Sequence, residues 1–96
     1  MNEIIILQSA ESDWFSIYRR YEGKYERPFV QAIEHLRSIP EMGKPIGISN
    51  YRRILLQKTP FGIFYSVLNS RVIVAAILDL RQDPERIEQH LKNLLP

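Results

Sequence analysis

The chain has 96 residues and a mass of 11.3 kDa, which predicts a single domain over residues 1–96. Apolar residues make up 45% and charged residues 25%, which excludes a disordered or low-complexity chain, and the lack of cysteine excludes disulfides and thiolate sites. Small secreted domains usually need disulfides, and the N-terminus lacks the cationic start of a signal peptide, so the sequence does not favour secretion. No apolar run approaches the roughly 20 residues that span a bilayer. We therefore expect a cytoplasmic protein without membrane association.

The net charge of +2 is unevenly distributed along the chain. Residues 1–48 carry six basic and seven acidic side chains, whereas residues 49–96 carry seven basic and four acidic ones. A cationic second half predicts a field that attracts an anionic partner. A solvated surface with a chance imbalance of charge is the alternative.

The first half of the sequence predicts a strand followed by two helices. Residues 3–8 are a short β-branched run typical of a strand, and Ser9 is a candidate N-cap for the first helix. An apolar stripe at helical spacing predicts the buried face of that helix, and Gly23 predicts its end: Trp14, Ile17, Tyr18 and Tyr21.

A second helix is expected between Pro28, which suits a first turn, and Pro40, which ends it. Its buried face is predicted to contain Phe29, Ala32, Ile33 and Leu36. The short link predicts an antiparallel helical hairpin. Residues 40–50 are rich in proline and glycine and predict a loop.

The second half predicts three strands and a helix. We expect strands at residues 51–58, 63–68 and 72–80. Pro60 and Gly62 end the first of these strands, and Asn69-Ser70 forms a two-residue hairpin turn between the second and the third. The long apolar run of the third strand predicts a central position.

Asp83-Pro84-Glu85 predicts the start of a final helix that buries Ile87, Leu91, Leu94 and Leu95. The order β-α-α-β-β-β-α indicates an α+β fold with a helical hairpin on a mainly antiparallel sheet.

Most catalytic patterns are absent from the sequence. It contains no phosphate-binding glycine loop, no paired histidines and no nucleophile elbow, so we expect neither a cofactor nor a metal. His35 and His90 each stand alone on a predicted helix and are interpreted as surface or boundary residues rather than ligands. Asp79 and Asp83 form at most a weak candidate carboxylate pair.

Cationic side chains near strand ends are the stronger signal. The candidates for binding phosphate or a target are Arg52, Arg53, Lys58, Tyr65, Arg71 and Arg81. Arginine forks match phosphate oxygens, and a tyrosine could stack on a base or brace an arginine. Edge protection and local ion pairs, such as Arg81 with Asp79 or Asp83, would explain the same residues without a ligand.

The sequence resembles RelE/ParE-superfamily toxins of type II toxin–antitoxin pairs in four stretches. They are residues 4–9 with Ala10 and Asp13, Leu36 to Pro40 and Gly43, Arg53 with residues 63–67, and residues 76–87. The resemblance covers nearly the whole chain in the predicted element order. It implies a cognate antitoxin, usually a DNA-binding protein whose C-terminal segment wraps the toxin.

Two activities occur among such toxins. Members similar to RelE cleave mRNA on the ribosome, whereas members similar to ParE inhibit DNA gyrase. RNA cleavage needs an acid and a base beside the cations. This sequence has no aromatic residue after Tyr65, and Asp79 stands where many members have histidine. It therefore favours a non-catalytic gyrase inhibitor of the plasmid-stabilisation type.

Two alternatives stay open. An mRNA endoribonuclease would use Arg53, Arg81 and Lys58 in one phosphate-binding groove, and a plain binding module would cause no growth inhibition. Every one of these functions predicts an antitoxin that covers apolar surface, with the faces of Ile54 and Leu56 or the last helix as candidates. Without that partner, a homodimer could cover the same surface.

Overall fold

The computed structural model describes residues 2–94, which form three α-helices packed on a five-stranded sheet. The elements are β1 (Glu3–Ile6), α1 (Gln8–Arg20), α2 (Glu26–Ser38), a 3-10 turn (Pro40–Met42), β2 (Lys44–Pro45), β3 (Arg52–Leu55), β4 (Phe61–Leu68), β5 (Arg71–Asp79) and α3 (Pro84–Asn93). The predicted α+β class and element order are confirmed. The short strand β2 is an addition, because it lies within the predicted loop.

The sheet order is β1-β5-β4-β3-β2, with β1 parallel to β5 and the other neighbours antiparallel. β5 pairs on both edges, as its apolar run predicts. Asn69 and Ser70 have φ of 50° and 64°, so they form the predicted two-residue turn, with the positive φ values that a type I′ turn requires.

Apolar side chains form one cluster on each face of the sheet. The cluster under α1 and α2 includes Ile17, Leu36, Ile63, Tyr65 and Val74. The cluster under α3 consists of Tyr51, Phe64, Ala75, Ala76 and Leu91. The Trp14 and Phe29 rings stack at 4.1 Å and join the two helices of the hairpin. Tyr18 departs from the predicted buried stripe, since it is 41% exposed.

The predicted N-cap of α1 is wrong. The helix begins at Gln8, with Leu7 in the cap position, and the Ser9 hydroxyl donates to the Ala75 carbonyl at 2.7 Å. β1 ends at Ile6 rather than at residue 8, so the edge of β5 beyond Val74 needs other partners. α1 supplies them with its own side chains.

Two strand boundaries also differ from the prediction. β3 ends at Leu55, not at residue 58, and Lys58 lies in the following turn with φ of 63°. Gly62 lies inside β4 instead of interrupting the sheet. A Cβ at this position would approach the Leu80 side chain to 3.0 Å, so the glycine allows close packing.

The ends of the helices largely follow local sequence signals. After α1 the chain turns through Glu22 and Gly23, both with positive φ, and the Gly23 N–H donates to the Tyr18 carbonyl. The Asp83 carboxylate caps α3 by accepting from the Glu85 N–H at 3.0 Å, which confirms that prediction. Leu91 is buried as expected, whereas Leu95 lies outside the described residues. Of the helices in residues 2–94, none is long and apolar enough to cross a membrane.

Candidate functional site

A groove of about 710 Å³ runs between α2 and β3. We call it the α2–β3 groove. α2 contributes Pro28, Gln31, Ala32 and His35, the segment around β2 contributes Met42 and Lys44, and β3 with its following turn contributes residues 53–59. The groove is therefore lined by one helix face and by one edge of the sheet.

The edge of β3 is open because β2 is too short to cover it. β2 pairs only with Arg52 and Arg53. The Leu56 N–H points towards β4, where it donates to the Phe61 carbonyl. Because the peptide groups of successive strand residues point to opposite sides, those of Leu55 face the groove. Within residues 2–94, β4 pairs with Leu55 on one side, and no strand pairs with it on the groove side. Such an edge can accept the backbone of another chain.

The groove combines apolar surface with positive charge. Met42 is 48% and Leu55 57% exposed. Lys44, Arg53 and Lys58 surround them, and no described residue that lines the groove carries a carboxylate.

The expected apolar surface on Ile54 and Leu56 is wrong, because these side chains are buried in the core and the exposed residue is Leu55 between them. The reason is strand alternation: the core occupies the face that Ile54 and Leu56 share.

Tyr65 and Arg52 hold the wall of the groove rather than face a ligand. The fully buried Tyr65 hydroxyl donates to the Pro40 carbonyl at 2.7 Å and accepts from the Gly43 N–H at 2.9 Å. Burial raises the pKa of this hydroxyl, so it stays a donor at neutral pH. The Arg52 guanidinium donates to the carbonyls of Glu41 and Gly43.

Arg81 lies outside the groove and is bound by its neighbour Asp79. The Arg81 Nε and Nη2 atoms donate to the two Asp79 carboxylate oxygens at 3.0 and 2.7 Å. These bonds lower the pKa of Asp79 and raise that of Arg81, so both groups stay charged at neutral pH. Arg71 begins β5, at the opposite end of that strand, and pairs with Glu3 at 3.1 Å.

The six candidate residues therefore do not converge. The structure brings together Arg53 and Lys58 in the groove, whereas Arg71 and Arg81 do not line it and each forms an ion pair with a carboxylate.

One groove residue was not recognised from the sequence. His35 was interpreted as an isolated surface residue, and it is exposed, but it lines the same groove as Arg53 and Lys58. The spacing of Pro28, Gln31, Ala32 and His35 places one face of α2 against the groove and is the signal that could have identified it. In the part of the chain that the structure describes, no three potential metal ligands cluster.

Comparisons with known proteins point to one family. The model of the family described as "ParE toxin of type II toxin-antitoxin system, parDE" matches residues 4–84. No curated protein matches the chain.

Two solved structures share the fold. A chain of the chromosomal ParDE toxin–antitoxin system from P. aeruginosa has a TM-score of 0.72 and 19% identity, over 84% of this chain and 98% of that one. The isolated E. coli RelE toxin has a TM-score of 0.61 and 14% identity, over 99% of this chain and 100% of the other. At these identities the likeness concerns the fold alone.

Proposed function

Because the chain belongs to the family of ParE toxins of type II toxin–antitoxin systems, we propose that it inhibits growth by binding DNA gyrase. We further propose that a cognate antitoxin neutralises it by occupying the α2–β3 groove.

The pairing of Arg81 with Asp79 supports a target bound by contact rather than cleaved. Cleavage of RNA needs several cations around one phosphate and an acid and a base beside them. Here Arg81 is held by a carboxylate, and Tyr65 is buried with its hydroxyl bonded to Pro40 and Gly43. Arg81 and Tyr65 are therefore each engaged in contacts within the protein.

The purified protein tests the target directly. We expect it to reduce supercoiling of relaxed plasmid by DNA gyrase in a dose-dependent manner, and its regulated expression to slow growth. Normal supercoiling at saturating protein would reject gyrase as the target. Normal growth on expression would instead favour the non-toxic binding module.

The groove suits an extended acidic segment of an antitoxin. Leu55 offers backbone hydrogen-bonding groups and an exposed apolar side chain, while Lys44, Arg53 and Lys58 provide positive charge and no described lining residue carries a carboxylate. Strand addition gives affinity through main-chain hydrogen bonds and specificity through alternate side chains. Carboxylates on the added segment would meet the three cations.

Two matched substitutions test this site. Leu55 and Leu68 are 57% and 59% exposed, both lie in strands, and only Leu55 lines the groove. We expect Leu55→Asp to abolish co-purification with the protein encoded by the adjacent reading frame, and Leu68→Asp to leave it intact. Equal effects of the two substitutions would exclude the groove as the antitoxin site.

The presence of His35 in the same groove as Arg53 and Lys58 supports mRNA cleavage as a second candidate. A histidine can act as the base or the acid of phosphodiester cleavage. This activity predicts cuts in translated mRNA that are lost in His35→Gln, with Gln31→Ala as a control on the same face of α2. Intact mRNA in a translating extract with saturating protein would reject it.

A further inference from the structure

Three aromatic rings pack together at a corner of the molecule outside the α2–β3 groove. The rings of Tyr21 and Tyr25 lie 5.0 Å apart, and each contacts Phe61, at 5.8 and 6.0 Å. Tyr21 follows α1, and Phe61 begins β4 opposite Asp79 at the end of β5. The corner therefore joins the C-terminal ends of α1 and β5.

Three cations surround these rings. The Arg20 guanidinium lies 5.6 Å from the centre of the Tyr21 ring, and the Lys24 ammonium lies 5.8 Å from that of Tyr25. Arg81 adds a third, highly exposed charge beside Asp79. Tyr21 and Tyr25 are partly exposed, and exposed ring surface with nearby cations is the combination that binds single-stranded nucleic acid.

Asp79 engages the Arg81 guanidinium of this corner. Its carboxylate accepts three hydrogen bonds from Arg81, from the backbone N–H at 2.9 Å and from two guanidinium nitrogens at 3.0 and 2.7 Å. The fork that would hold a phosphate is therefore already filled. The carboxylate also places a negative charge where a phosphate would approach, and like charges at one site repel.

We infer that Asp79 is a specificity-determining residue that keeps RNA phosphates away from Arg81 and so reserves the corner for non-nucleic-acid contacts. This role rests on the proposed gyrase-binding function and adds to it a residue that disfavours RNA as a competing ligand. It concerns RNA affinity alone, so its test and the supercoiling test can fail independently.

Asp79→Asn removes the charge and retains an oxygen that can accept from the Arg81 N–H. The probe is a fluorescently labelled oligouridylate of about a dozen nucleotides, with affinity measured by anisotropy between about 50 and 200 mM salt. We expect binding about fivefold to tenfold tighter than for the natural protein at the lower salt, and a salt dependence steeper by about 0.7, as for one added phosphate contact.

Glu3→Gln is the matched control. It removes one carboxylate from an exposed ion pair with Arg71 at the opposite end of β5, so it changes net charge equally. The gain in Asp79→Asn should exceed that of Glu3→Gln and disappear in Asp79→Asn/Arg81→Gln. Asp79→Ser, which can form the same turn, guards against a folding defect specific to asparagine. Equal gains in the two single variants, a gain that survives loss of Arg81, or no RNA binding by either Asp79 variant would overturn the inference.

Discussion

At the scale of single residues, Tyr65 has the clearest structural role. Its ring lies in the core, and its hydroxyl joins β4 to Pro40 and Gly43, on the segment that leads from α2 to the groove. Gly43 itself leaves no room for a Cβ beside that hydroxyl. The tyrosine therefore positions one wall of the groove and is a positioning residue for whatever binds there.

We predict that Tyr65→Phe lowers the free energy of unfolding by about 1–3 kcal/mol, because it leaves a buried N–H and a buried carbonyl without their partner. Urea denaturation monitored by circular dichroism would measure the loss. Tyr18→Phe is the control, since that side chain is 41% exposed. Equal losses in the two variants would contradict the assigned role of the Tyr65 hydroxyl.

At the scale of elements, α1 acts as a substitute partner for β5. The pairing of β4 with β5 shifts register between Phe64 and Tyr65, and β1 ends opposite Val74. The Ser9 hydroxyl donates to the Ala75 carbonyl, and Asp13 accepts from the Ile77 N–H at 2.9 Å. Two side chains one helical turn apart thus continue the hydrogen bonding that β1 leaves unfinished.

Asp13 gives this junction a pH dependence. Burial raises its pKa above the usual 3.8, against the opposing effects of the Ile77 N–H and of His90. The folded state therefore holds the Asp13 proton more tightly than the unfolded state does. The resulting stabilisation is complete below pH 3.8 and is lost as pH rises through the folded pKa.

We predict that the natural protein loses stability relative to Asp13→Asn as pH rises from below 3.8 towards neutrality. Asparagine can accept the same hydrogen bond without the cost of burying a charge. Urea denaturation of both proteins across this range measures the difference between their free energies of unfolding. The titration of groups that both proteins contain, such as Asp79, cancels in this difference. A difference that is constant with pH would contradict the raised pKa.

At the scale of the whole molecule, the sheet has a separate apolar cluster on each face, and α3 contributes to the smaller one. Leu91 is the buried residue of α3, where it packs with Tyr51, Phe64 and two alanines. Attachment of the helix therefore depends strongly on one side chain.

We predict that Leu91→Ala lowers the free energy of unfolding by about 2–4 kcal/mol, a large share of the stability of a small domain. Leu68→Ala, at a position 59% exposed, should change it by less than about 0.5 kcal/mol. Thermal and urea denaturation would compare the two variants. A loss below 1 kcal/mol in Leu91→Ala, on the order of a surface change, would mean that α3 does not depend on this contact.

The sequence by itself determined the order of the three helices and of the four longer strands. Helical stripes of apolar residues, the Asn69-Ser70 turn and the Asp83 cap involve residues within a few positions of one another, so their patterns are visible in the chain. The resemblance to RelE/ParE toxins depended on the same local order and agrees with the family match over residues 4–84.

The tertiary structure alone decided which groups meet. Ser9 forms a hydrogen bond with Ala75, 66 positions away in the sequence, and Tyr65 forms one with Gly43, 22 positions away. No periodicity encodes such pairs, because they depend on where β1 stops and how β5 bulges.

The same holds for charge. The sequence showed a cationic second half and offered Asp79 as a local partner of Arg81, which the structure pairs with it. Only folding placed Arg53 and Lys58 in one groove with His35, with no carboxylate among the described lining residues. Electrostatic function depends on distance in space, which the order of residues does not fix.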